Sequence, residues 1–122
     1  MEKYIDVMKQ VSDLLETVDE GLQHTQTLLK QGKFEASISL FSDIVQAFST
    51  IEKSVLNLPE ALLTEKMKSL TEKVRNALDK AVEAYETAKY DDVRELLQFT
   101  LLPAFNSWKE VLDSKFTPYV VS

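Results

Sequence analysis

The only histidine of the chain, His24, follows Glu20 by one helical turn, so the two side chains share a helix face and can reach one metal ion. Helical metal sites need more than that: several inward carboxylates and, for two metals, paired Glu-x-x-His elements. Here Gly21 stands three residues before His24 and no second histidine exists, so a solvated or partly packed histidine is expected. Asp91 and Asp92 are the other eye-catching pair. Adjacent residues on a helix point in different directions, whereas acid–base work needs two carboxylates in one cleft. Both sit where a helix should begin and where its dipole favours negative charge, so capping is the expected role. Ser and Thr are plentiful, but a nucleophile needs a base and an oxyanion site, and neither is in view. Gly21 and Gly32 are isolated, which leaves no phosphate-cradling loop. With no cysteine, thiol catalysis, thiolate metal sites and disulfides are absent. The chain is therefore not expected to be an enzyme, and no catalytic residue, metal ligand or cofactor is assigned.

What remains is a scaffold, and its composition is specific. Only 2 Gly and 3 Pro among 122 residues is too little punctuation for a sheet protein, whose tight turns need both. Twenty acidic against 14 basic residues give a net charge of −6, which disfavours nucleic acid and anionic lipid. The imbalance is concentrated: residues 1–61 carry 10 acids and 5 bases, residues 62–122 carry 10 and 9. Lys66, Lys68, Lys73, Arg75 and Lys80 alternate with Glu65, Glu72 and Asp79, the pattern of a solvated helix face rather than a basic patch. No stretch approaches the roughly 20 apolar residues of a membrane span, and the N-terminus has no hydrophobic signal core. A cytoplasmic protein is the default expectation.

Apolar spacing predicts an all-α fold, an antiparallel up-down four-helix bundle occupying residues 1–116, with a tail at 117–122. The first helix, about 3–30, carries Ile5, Met8, Val11, Leu15, Val18, Leu22, Thr25 and Leu29 in steps of three and four, widened by Leu14 and Leu28. Gln31-Gly32 ends it. The second, about 33–56, carries Phe34, Ile38, Phe41, Val45, Phe48, Ile51 and Val55. Asn57-Leu58-Pro59-Glu60 then reads as a stop and restart, with Asn57 as cap and Glu60 in the capping-box position. The third, about 59–88, runs Leu63, Met67, Leu70, Val74, Ala77, Ala81, Ala84 and Ala88, and its alanines invite close approach by a neighbour. The fourth, about 90–115, carries Tyr90, Val93, Leu97, Leu101, Ala104, Trp108 and Val111, with Leu96, Phe99, Phe105 and Leu112 beside them. Trp108 and the phenylalanines follow helical spacing and are read as core. Pro103, in the middle of that helix, predicts a kink near 99–103, or a break into two helices.

The halves overlay at an offset of 56 residues: Val11 on Met67, Leu14 on Leu70, Val18 on Val74, Leu22 on Leu78, and Lys33-Phe34 on Lys89-Tyr90. One inserted residue later, Ala47-Phe48 falls on Ala104-Phe105 and Ile51 on Trp108. Two hairpins of equal length share a heptad-like pattern by necessity; the matched Lys-aromatic turn and Ala-Phe pair also suit a duplicated hairpin.

The C-terminal segment holds the only candidate partner-binding residues, Phe116, Tyr119, Val120 and Val121. Either this extended-looking tail folds back over the bundle as a hydrophobic cap, or it offers a strand-like peptide to a partner or a twin subunit. Two stretches, Leu29-Lys30-Gln31-Gly32-Lys33-Phe34 and Ala104-Phe105-Asn106-Ser107-Trp108-Lys109, carry a resemblance of general plan to the flagellar export chaperones, small acidic bacterial bundles that hold the helical end of an unassembled subunit. That resemblance implies a chaperone- or adaptor-like role and assigns no residue. The leading expectation is a non-catalytic interaction protein whose surface, or a groove between helices, binds another protein or a second copy of itself. The alternative is a small-ligand- or metal-binding bundle, suggested by Glu20/His24 and by the alanine-lined half of the third helix.

Overall fold

A computed structural model describes residues 2–120, which form four helices with no strand among them. They are α1 (Glu2–Lys30), α2 (Phe34–Leu56), α3 (Glu65–Glu86) and a fourth helix in three continuous segments: α4 (Tyr90–Leu96), a π-helical turn (Leu97–Leu101) and α5 (Leu102–Val120). The chain is an antiparallel four-helix bundle. α1 packs on α2 and on the fourth helix; α3 packs on the fourth helix and more lightly on α2. α1 and α2 pack closely at Gly21, where an added Cβ would lie 3.1 Å from Ile44 Cγ1.

The two hairpin turns have the same backbone conformation at the 56-residue offset. In the first, the Lys33 N–H donates to Leu28 O and Gly32 N–H to Leu29 O; in the second, Lys89 N–H donates to Ala84 O and Ala88 N–H to Tyr85 O. Each is a Schellman closure, which needs one residue in the left-handed region. Gly32 takes it at φ 73° and Ala88 at φ 55°. The residues that open the next helices also agree, Lys33 at φ −89°, ψ 67° and Lys89 at φ −91°, ψ 72°. Their aromatic successors meet: Phe34 and Tyr90 stack with ring centroids 4.3 Å apart and planes 5° from parallel. The equivalent turns thus lie at one end of the bundle, and the stacked pair joins them. Ala88, an L-residue held at positive φ by this closure, carries local strain of about 1–2 kcal/mol. Ala88→Gly is therefore expected to raise stability by up to about 1 kcal/mol and Gly32→Ala to lower it by about 1 kcal/mol, opposite signs that urea melts of the two variants will show.

Inside, one apolar core contains residues from all four helices, with Trp108, Phe48, Phe105, Phe116 and Met8 among the largest fully buried side chains. Phe48 of the first hairpin meets Trp108 of the second at 5.1 Å, and Phe105 meets Trp108 edge-on at 5.9 Å. The indole N–H is served: Trp108 Nε1 donates to Thr71 Oγ1 at 2.8 Å, and that hydroxyl donates to Met67 O at 2.6 Å. Near the turns, the Tyr85 hydroxyl donates to Ser37 Oγ at 2.9 Å, and Ser37 donates to Phe34 O. Burial pushes the Tyr85 phenol above the ordinary tyrosine value, only partly offset by its bond to Ser37, so it stays a neutral donor. This chain explains why Ser37 is buried while Ile38, expected in the stripe, is 39% exposed. The buried face of α2 is turned toward Ser37 and Ile44.

Three boundaries differ from the sequence reading. The third helix starts at Glu65 rather than near 59: Asn57 closes the end of α2, its N–H donating to Lys53 O, and the true N-cap is Thr64, whose Oγ1 accepts from Met67 N–H at 3.1 Å. Residues 57–64 form a connector whose Leu58 and Leu62 are buried. The third helix ends at Glu86, before the left-handed Ala88. There is no extended tail over the described residues, because α5 continues to Val120 through Pro118. Phe116 is fully buried and Val120 packs against the core, which holds that last turn in place. Pro118 removes a hydrogen bond only to Ser114, whose surroundings are open to solvent.

The distortion expected at Pro103 appears as the π-helical turn just before it. Leu102 N–H donates to Leu97 O, five residues back, so this turn holds one residue more than an α-turn. The extra residue lies between Tyr90 and Ala104, where the overlay of the two halves needs its one insertion. Gln98, Phe99 and Thr100 are exposed there, so solvent reaches the carbonyls that Pro103 cannot serve.

Candidate functional site

The side chains with chemical potential are dispersed. His24 and Glu20 are both exposed on α1, and among the described residues no group of three or more His, Asp or Glu is placed to hold a metal ion. His24→Ala is accordingly expected to shift stability by less than about 0.5 kcal/mol in a thermal melt. Asp91 is exposed and lies 3.7 Å from Arg94, one turn on, as a helix-start acid should. The best-ordered ion pairs are structural. Arg75 grips Glu52 of α2 with two bonds, at 2.7 and 3.2 Å, while lying 4.8 Å over the Phe48 ring. Lys109 reaches Glu16 and Asp113, each at 2.8 Å, and these bonds raise its pKa above the ordinary lysine value. Because the folded value is the higher one, the contribution is complete below the ordinary lysine range and fades only at higher pH. Both clusters tie hairpin to hairpin.

The C-terminal candidates are separated by the helix that contains them. Phe116 is core, Tyr119 is 37% exposed, Val120 is half-buried, and Val121 lies outside the described residues. Phe116 is therefore not available to a partner in this fold.

The feature that the sequence reading missed is Phe99. Read there as core, it is instead 69% exposed, the most exposed large apolar side chain described. It stands on the π-helical turn at the lip of a groove of about 510 Å³ between α3 and the fourth helix. Ala84 and Leu96 supply the apolar part of the groove, and Lys80, Glu83, Lys89, Asp92 and Glu95 its charged walls. Each wall is one helix face: Lys80, Glu83 and Ala84 on α3, with Thr87 at its C-cap, and Asp92, Glu95, Leu96 and Phe99 opposite. The signal that points to it is the one-residue slip between the halves, followed by Pro103.

The model of a family described as a domain of unknown function (DUF8042) matches residues 6–111. The chain belongs to the DUF8042 family. The match spans α1 nearly from its start, both Schellman turns, the connector, the π-helical turn and α5 as far as Val111. The DUF8042 region thus contains the whole groove, whereas Phe116, Tyr119 and Val120 fall beyond it. No curated protein and no solved structure matches the chain. No helix among the described residues is long and apolar enough to cross a membrane.

Proposed function

We propose that this DUF8042 bundle is a non-catalytic interaction protein, adaptor- or chaperone-like, acting in the cytoplasm by holding another protein against its helical surface. The observation that carries the reading is Phe99: the most exposed large apolar side chain among the described residues stands on the lip of an open groove, while His24, Glu20 and Asp91 are exposed and Arg75 and Lys109 are tied into pairs between the hairpins. A rigid core beneath one exposed aromatic anchor is how binding surfaces are commonly built. The general likeness to the flagellar export chaperones supports the same kind of role. The acidic balance argues against nucleic acid and anionic membranes as partners. Affinity purification from native lysate, with the full chain as bait, tests the reading. Reproducible enrichment of one protein supports it; repeated recovery of the bundle alone counts against it.

A second reading, a small-ligand-binding bundle, draws on the same groove, whose volume falls within the ~300–1,000 Å³ typical of ligand sites. Native mass spectrometry separates the two: a stoichiometric non-protein adduct favours the ligand, and the bare chain mass removes it.

A further inference from the structure

The geometry points to the groove between α3 and the fourth helix as the docking site for an amphipathic helix of another protein, one whose large apolar side chain is flanked by basic residues. The inference deepens the interaction reading above and rests on it. Three observations carry it.

The first is a break in symmetry. The two hairpins share turn conformation residue by residue, yet their outer faces differ where the π-helical turn adds its residue. The position matching Phe99 in the first hairpin is Ser42 or Asp43, depending on which side of the insertion is counted, and both are exposed polar residues. A single exposed phenylalanine needs no explanation by itself. Here it borders Leu96 and the floor at Ala84, so the apolar surface is continuous across the groove. A π-helical turn is also where helices often place functional side chains.

The second is charge left unanswered. Lys80, Glu83, Lys89, Asp92 and Glu95 line the groove, and among the described residues none of the five makes an ion pair within 4.0 Å. Elsewhere Arg75 and Lys109 each engage two carboxylates. Acid outnumbers base on these walls, and the chain as a whole carries −6. Local and long-range fields therefore both favour a partner with basic flanks, and the long-range field speeds its arrival.

The third is shape. The groove lies between two antiparallel helices and opens to solvent, the setting in which a third helix packs ridge into groove. No free strand edge is at hand to receive an extended peptide by backbone pairing. An apolar anchor of the incoming helix meets Phe99 and Leu96 while its basic neighbours reach Glu83, Asp92 and Glu95.

The test uses the full chain and a fluorescently labelled synthetic amphipathic helix with a leucine–phenylalanine stripe and Lys/Arg flanks. Companion peptides carry Glu flanks, or Ser in place of the stripe. Fluorescence anisotropy is expected to show saturable binding of the basic-flanked peptide, at least about tenfold weaker binding of both companions, and weakening with added salt. Phe99→Ser should cost about tenfold or more in affinity and Phe99→Leu much less. Glu95→Lys should shift preference toward the acidic-flanked peptide. These exposed positions leave the melting curve of the free protein nearly unchanged, which is checked by circular dichroism. Equal binding of both charge types, no binding of any peptide, or wild-type affinity for Phe99→Ser each overturns the proposal. So does concentration-dependent dimerisation abolished by Phe99→Ser, which makes a second copy the occupant. A partner recovered by affinity purification that binds both variants like wild type refutes this surface and leaves the interaction reading standing; the absence of any partner refutes that reading itself.

Discussion

Trp108→Ala should lower stability by about 3–5 kcal/mol, the usual cost of emptying a large aromatic site in a packed core. The indole is fully buried, touches Phe48 and Phe105, and gives its N–H to Thr71. Truncation leaves a cavity between the hairpins and strips the Thr71 hydroxyl of one partner, although its own donation to Met67 O survives. Native domains hold only about 5–15 kcal/mol in total, so the loss is a large fraction of what there is. The melting temperature should fall by about 10–20 °C for a chain of this size. Thr71→Val separates the two contributions. It keeps the packing but orphans a buried N–H, at about 1–3 kcal/mol. A Trp108→Ala protein melting within a few degrees of wild type would mean that the indole is not in the core.

Phe48→Ala comes next, again at about 3–5 kcal/mol. Phe48 lies on α2, is fully buried, and is roofed by the Arg75 guanidinium at 4.8 Å. The Arg75 pKa is raised first by its hydrogen bond to Glu52, more than burial lowers it, so the cation stays charged above the ring. Removing the ring withdraws the cation's apolar seat and part of the reason that the Arg75–Glu52 pair is held in place. Chemical denaturation should show the loss with a nearly unchanged urea dependence, since the surface newly exposed on unfolding is almost the same as in the wild type.

Much of this fold is legible in the primary structure because long helices advertise their buried face by period. Leu15, Val18, Leu22, Phe41, Phe48, Val74, Trp108 and Leu112 are buried where spacing puts apolar residues. The Gly32 turn reads directly. Its partner reads only by analogy, because Ala88 has no chemical reason to adopt a left-handed backbone and does so to serve the closure. The connector misleads for a physical reason. Leu58 and Leu62 are four apart, as in a helix, and Asn57 and Glu60 mimic a capping box, yet the leucines seal the bundle end while Thr64 does the capping. Pro118 misleads in the other direction: burial of Phe116 outweighs one missing hydrogen bond in a terminal turn. Ser37 and Thr71 are buried because Tyr85 and Trp108 need partners, and hydropathy does not register such pairings.

The candidate site was less legible than the fold. Leu96, Leu97, Phe99, Leu101 and Leu102 crowd one stretch, and period alone cannot say which of them faces outward. The π-helical turn decides it by adding a residue that rotates one side chain away from the core. The clue lay in comparing the halves: equal register up to Lys89-Tyr90, then a slip of one by Ala104-Phe105. An insertion inside a helix must be absorbed somewhere, and here it is absorbed beside the groove.

Two equivalent hairpins share one interior, and a double-mutant cycle between Phe48 and Trp108 tests this most directly because each ring comes from a different hairpin. The rings 5.1 Å apart predict that the combined loss in Phe48→Ala/Trp108→Ala departs from the sum of the single losses by about 0.5–1.5 kcal/mol. Losses that add within about 0.3 kcal/mol would mean that the two rings do not touch, and would contradict the shared core.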